Sequence, residues 1–213
     1  AAGVSAKALG AAVKGIVGPL SLVATAAGAV VGGFKGFVEA DKARAAVRTL
    51  GVDVNTLEGQ LVGVVARTGG LASTNQLLAA SYDVASAGFG KAADITKILE
   101  ASLLGAVGGM TDIATVSDAA TSVMNAFGLT TDSVSKIVDG FVQTQNDGKI
   151  VVGEYASQIG RVAPIAAAAG VGIDELNAAI STVTAQGVPV ESTFAGINQV
   201  IASIVKPTSE AAK

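Results

Sequence analysis

Short helical runs closed by glycine constrain this chain more than any other feature of its sequence. In residues 161–200 an alanine-rich run stops at Gly170. A second run opens on Ile173-Asp174-Glu175-Leu176 and stops at Gly187, and a third starts near Glu191 after Val188-Pro189. Glycine suits the left-handed residue just past a helix end, because it has no Cβ to clash there. Acidic residues in a first turn complement the partial positive charge of the exposed N–H groups. Helix, glycine stop, short connection and acidic start recur along the chain. The pattern predicts an all-α fold, a multi-helix array of short helices with Gly-terminated connections.

The same reading places the individual helices. A polar helix is expected over residues 37–50 with Gly51 as its stop, and another over residues 54–67 before Gly69-Gly70. Ser73 and Gln76 have capping-box spacing, which predicts a helix over residues 74–87 closed by Gly88 and Gly90. Residues 92–107 follow, stopped by Gly108-Gly109, and then residues 115–127, ended by Gly128. Thr130 or Thr131 is expected to cap a helix that carries Val134, Ile137, Val138 and Phe141 at helical spacing. Asn146-Asp147-Gly148 reads as a turn, between two helices in preference to two short strands at 141–144 and 149–152. Residues 154–169 are read as a helix kinked at Pro164. The last helix is expected to carry Phe194, Ile197, Ile201 and Ile204 on one face and to stop at Pro207. Pro164, Gly170 and Gly187 are the candidate hinge residues. Tyr82 and Tyr155 are expected to pack between helices.

Composition then divides the chain. Half of it is hydrophobic but only 4% is aromatic, so the apolar mass is Ala, Val, Ile and Leu. Small side chains permit close helix packing. With 15% charged residues and a mean hydropathy of +0.58, part of the surface is expected to be covered by a partner, another copy or lipid. Residues 1–50 hold six basic and two acidic residues; the remainder holds eight and fifteen. This suggests a basic, apolar, helical head at 1–50 and an all-helical domain at 51–213. The acidic body argues against specific nucleic-acid binding, which needs clustered Lys or Arg.

Within the head, residues 15–34 carry no charge and are bracketed by Lys14 and Lys35. Twenty helical residues span about 30 Å, the thickness of a bilayer core. Ala24, Gly28, Gly32 and Gly36 recur at spacing four, a ladder that lets helices approach closely. They are the candidate helix-association or membrane face. The residues leave two readings open: an oligomer-forming helix of a soluble assembly, or a segment that meets a membrane. The chain opens on Ala, and it is read as a piece of something longer.

Catalytic chemistry has little support. There is no Cys and no His, which excludes disulfides, thiolate catalysis, Ser-His-Asp triads and the usual zinc sites. Ser133-Val134-Ser135-Lys136 matches Ser-x-x-Lys, but the companion motifs of that enzyme class are absent. Gly90-Lys91 lacks the glycine and hydroxyl of a phosphate loop. Asp112, Asp118, Asp139 and Asp147 fit no calcium loop and are read as helix starts or solvated faces. No cofactor and no metal are expected.

An ordered set of runs carries a family resemblance. Ala80-Ser81-Tyr82-Asp83-Val84-Ala85-Ser86-Ala87-Gly88-Phe89 is followed by Ile98-Leu99-Glu100-Ala101-Ser102 and Gly108-Gly109-Met110-Thr111-Asp112. Met124-Asn125-Ala126-Phe127-Gly128-Leu129, Ile137-Val138-Asp139 and Ile159-Gly160-Arg161-Val162-Ala163-Pro164 come next. Gly170-Val171, Glu175-Leu176-Asn177-Ala178-Ala179-Ile180 and Lys206-Pro207-Thr208-Ser209-Glu210-Ala211 complete the set. Each run alone is helix and glycine punctuation; together, over residues 35–213, they resemble the tail tape measure proteins of long-tailed bacteriophages. The resemblance implies a structural virion protein that is no enzyme. It would lie in the tail tube lumen, set tail length during assembly in the host cytoplasm, and assist DNA ejection through the host envelope. It also implies a homo-oligomer whose partners are the tail tube protein, tail assembly chaperones and, on ejection, the host inner membrane. The family's chains are usually much longer and carry a long coiled coil, which this sequence lacks. The alternative class is a membrane-active pore-forming or toxin-like helical protein, which would share the apolar head. A hydrolase would have to use Ser133 and Lys136.

Overall fold

A computed structural model describes residues 40–205. Contacts divide the chain into Ala1–Lys42 and Ala43–Lys213, and the packing described below lies within the second unit. The all-α expectation holds: the described residues contain helices and no strand. In chain order they are α1 (residues 40–49), α2 (Val54–Arg67), α3 (Thr74–Ser86), α4 (Ala92–Gly108) and α5 (Ile113–Phe127). A 3-10 turn (Thr131–Ser133) leads into α6 (Val134–Asp147), followed by α7 (Val152–Ala168), α8 (Ile173–Ala185) and α9 (Val190–Val205).

Local chemistry sets most helix starts. The Asp53 carboxylate accepts the N–H groups of Asn55 and Thr56, at 3.1 and 3.3 Å, and so caps α2. Ser73 and Gln76 form the expected reciprocal box at α3: Gln76 N–H donates to Ser73 Oγ at 3.3 Å, and Ser73 N–H donates to Gln76 Oε1 at 2.8 Å. Asp112 caps α5 by accepting Thr115 N–H at 2.8 Å, so that helix opens two residues before the predicted start. At α2 and α5 the acid therefore sits at the cap and not in the first turn. Both positions let a carboxylate meet the unpaired N–H groups. Gly172 has no side chain to cap α8, and Glu175 Oε2 instead accepts Gly172 N–H at 3.1 Å.

Glycine stops fall where the sequence puts them, with one exception. Gly51, Gly69, Gly70, Gly88, Gly128, Gly170 and Gly187 all have positive φ. At the end of α4, however, Gly108 stays helical and the left-handed residue is Met110, at φ +50°. Gly109 lies against Val152, and a Cβ there would overlap the valine side chain. The glycine is used for contact, and its successor takes the turn. Asn146-Asp147-Gly148 joins two helices, since α6 runs through Asp147.

The helices form two interlocked rows. α2, α4, α6 and α8 pack in succession, each against the one two places on; α3, α5, α7 and α9 do the same. Neighbours in sequence cross between the rows. At Gly105 α4 comes close to α6, and a Cβ there would overlap Val138. The interior is aliphatic, as the composition predicts: Leu57, Leu61, Leu77, Leu78, Ile95, Ile98 and Leu99 are fully buried. Each such side chain contributes about 1.5–3 kcal/mol by leaving water. Three aromatics gather between the rows: the Tyr155 ring lies 4.9 Å from Phe141 and 5.9 Å from Phe194. One packing expectation fails: Tyr82 is 41% exposed, because it faces away from the helices that α3 packs on, and at the end of α9 Ile204 is 70% exposed.

Candidate functional site

Polar groups on the described surface mark the rows of helices and assemble no reaction centre. Arg44 of α1 pairs with Glu58 of α2. Arg67 of α2 holds Glu100 of α4 through two bonds, Nε–Oε1 at 2.9 Å and Nη2–Oε2 at 2.6 Å. Lys97 of α4 reaches Asp132 beside α6 at 2.7 Å, and Lys136 of α6 reaches Asp174 of α8 at 2.7 Å. In each pair the cation comes from the earlier helix and the anion from the later one. Two further bonds join the same pairs of elements with the donor on the later one: Thr96 Oγ1 donates to Gln60 Oε1 at 3.0 Å, and Thr131 Oγ1 donates to Asp94 Oδ1 at 2.9 Å. Exposed ion pairs add little stability singly. They mark which helix lies beside which.

The charges respond accordingly. The Arg67 guanidinium holds the Glu100 carboxyl below the usual range. Lys97 does the same for Asp132, and the lysine is raised in turn. The Thr115 hydroxyl and N–H lower Asp112. Tyr155 is pushed well up by burial, and its hydroxyl donates to Asn177 Oδ1 at 2.5 Å.

The residues singled out in the sequence fall in different places. Ala24, Gly28, Gly32 and Gly36 lie outside the described residues. Pro164 sits on an exposed side of α7, where it removes the N–H that would bond the Gly160 carbonyl. Gly160 is itself exposed, so water can meet that carbonyl. Gly170 and Gly187 have φ +75° and +88° and bracket α8. Lys136 of the Ser-x-x-Lys match is bound to Asp174, not to Ser133. Among the described residues no group of acidic side chains is placed to hold a metal, and no helix is long and apolar enough to cross a membrane.

Sequence reasoning did not find the pairs along the first row, which join residues 33 to 38 apart. That near-constant separation is the length of one helical pair with its connections. A search for opposite charges at this offset would have revealed it.

The family described as phage-related minor tail protein matches residues 63–213, more than half of the chain. The chain belongs to this family. The match begins inside α2 and takes in α3 to α9 and the pairs among α4, α6 and α8. As a phage-related minor tail protein the chain is a structural component of the virion's tail. No curated protein and no solved structure matches it.

Proposed function

We propose that this minor tail protein is a domain of a tail tape measure protein, packed in the tail tube lumen and acting in tail-length determination and DNA ejection. The observation that carries the reading is the family match over residues 63–213, joined to the ordered runs that resemble the tape measure family. A quasi-one-dimensional helical array suits the role, because each helix depends mainly on near neighbours and the chain can be lengthened by whole helical pairs. On this reading its partners are the tail tube protein, tail assembly chaperones and further copies of itself. Pro164, Gly170 and Gly187 are the hinges at which the array would open for passage through a tube. Residues 15–34 would associate between copies and enter the host inner membrane on ejection.

The test is tail length. A phage carrying an in-frame duplication of residues 92–168 should build tails longer by about 115 Å if the added segment is extended as helix at 1.5 Å per residue. Tails of unchanged length that contain the duplicated protein would refute the ruler and leave a minor structural role. For the head, the full chain should bind vesicles of host inner-membrane lipid, and charged substitutions at Gly28 and Gly32 should abolish the binding. Binding unaffected by those changes would remove the membrane step.

A further inference from the structure

The last pair of helices is held differently from the others. Among the described residues α8 and α9 together bury four apolar side chains, Leu176, Ile180, Phe194 and Ile201. The first pair of the two rows, α2 and α3, buries nine, and α4 and α5 bury eleven. A place at the end of the rows therefore does not explain the difference. Apolar area removed from water is the main favourable contribution to packing, so α8 and α9 are bound least firmly.

A polar seam stands where the other helices have core. Gly140 and Thr144 of α6 and Gly148 just past its end recur at spacing four. Against them lie Asn177, Ser181 and Thr184 of α8, all buried. The approach is close: a Cβ at Gly140 would lie 2.9 Å from Asn177 Nδ2, and one at Gly148 would lie 2.6 Å from Thr184 Oγ1 and 3.0 Å from Ser181 Cα. Yet the hydroxyls bond within their own helices. Thr144 Oγ1 donates to the Gly140 carbonyl at 2.7 Å, Ser181 Oγ to that of Ala178 at 3.1 Å, and Thr184 Oγ1 to that of Ile180 at 2.8 Å. Parting α6 from α8 leaves all three bonds intact and exposes groups that water can solvate. The Thr184 end of the seam already meets a cleft of about 530 Å³, lined by Lys149, Glu154, Thr184 and Pro189 among others.

One residue fastens both helices. The Tyr155 hydroxyl donates to Asn177 Oδ1 of α8, and the Tyr155 ring lies edge-on to Phe194 of α9. Among the described residues this is the one buried side-chain hydrogen bond that α8 or α9 makes to another helix; the other tie, Lys136 to Asp174, is exposed. α8 and α9 also pack on each other. The chain enters the pair from α7 through the short connection at Gly170, whose φ is +75°.

We propose that α8 and α9 swing out together about Gly170, with Tyr155 as the catch that holds them shut. The motion parts the polar seam, uncovers the Phe141–Tyr155 ring pair and leaves α2 to α7 assembled. Such an opening is a cooperative unit that lies below global unfolding. Of the three candidate hinges it assigns the movement to Gly170, and it does not depend on the tape measure reading.

Native-state hydrogen exchange of the full chain in low urea tests it. Amides of α8 and α9 should share one opening, with a lower free energy and a shallower urea dependence than amides of α4 and α5. Tyr155→Phe should speed exchange in α8 and α9 about 5- to 150-fold, because it strands the Asn177 carbonyl oxygen. Ile98→Val, in the core beneath α4, should speed exchange in α4 about 2- to 12-fold and leave α8 and α9 unchanged. The wild-type pattern decides the question for any variant that fails to fold. Exchange of α8 and α9 only together with α4 and α5, separate openings for α8 and α9, or an Ile98→Val effect that reaches α8 and α9 equally would each overturn the proposal. These readouts involve no tail, so a failure here is distinct from a failure of the tail-length test.

Discussion

Tyr155 of α7 and Asn177 of α8 join the two rows of helices through a single buried hydrogen bond of 2.5 Å. The tyrosine is fully buried and the asparagine is 8% exposed. Asn177 also lies beneath Gly140, where a Cβ would come within 2.9 Å of its Nδ2. One residue pair thus ties α6, α7 and α8, and the Tyr155 ring adds α9 through Phe194. Tyr155→Phe keeps the ring and strands the Asn177 carbonyl oxygen. Leaving one buried partner unsatisfied costs about 1–3 kcal/mol. Urea unfolding should show that loss, and Tyr155→Ala should cost about 3–5 kcal/mol. Equal stability of Tyr155→Phe and wild type would show that water replaces the lost donor.

Gly105 within α4 and Gly109 just past its end do one job, to let α4 approach α6 and α7. A Cβ at either position would overlap Val138 or Val152. Gly105→Ala should therefore destabilise by about 1–3 kcal/mol through overpacking, although alanine favours a helix interior. Gly105→Ala combined with Val138→Ala should recover part of the loss. A stabilising Gly105→Ala would mean that helix propensity outweighs the contact.

These glycines show where sequence reading works and where it stops. The stops with positive φ were legible, because a left-handed residue is a local backbone demand that glycine meets. The Ser73–Gln76 cap was legible for the same reason: its partners are three residues apart. Gly105 and Gly109 look identical to stops in the sequence, yet their reason lies on other helices. The start of α7 at Val152 also escaped prediction, since its first N–H is capped by Gln145 Oε1 from α6 at 2.8 Å. Among the candidate site residues, the positions of Gly170 and Gly187 were readable. The charge ladder was not, because it depends on the repeat length of the array.

Met110 pays for the use of Gly109 as a contact. It holds φ +50° with its side chain 86% exposed, so burial does not offset the strain. A left-handed conformation costs an L residue about 1–2 kcal/mol, and glycine there loses about 0.5–1 kcal/mol of that gain in chain entropy. Met110→Gly should raise stability by roughly 0.5–1 kcal/mol, read as a higher urea midpoint at unchanged slope. A fall in stability would show that Met110 makes contacts which outweigh its backbone strain.

Acid should loosen the array before any other change of pH does. Asp53, Glu100, Asp112 and Asp132 are all held below the ordinary carboxylate range: Asp53 and Asp112 by threonine hydroxyls and N–H groups, Glu100 by Arg67, and Asp132 by Lys97. A carboxyl lowered in the folded state stabilises it fully above the unfolded value, about 4, and that contribution is lost as pH falls through the folded value. The chain has no histidine, the side chain whose ordinary value lies between about pH 5 and 8. Urea midpoints should therefore be flat from about pH 5 to 8 and fall below about pH 4. Asp112→Asn keeps an N-cap side chain but cannot titrate, and Glu100→Gln removes the second group. The double variant should have a shallower acid limb than the wild type, and lower stability at neutral pH from the lost Arg67 pair. An acid limb of unchanged slope would assign the loss to other carboxylates and contradict this account.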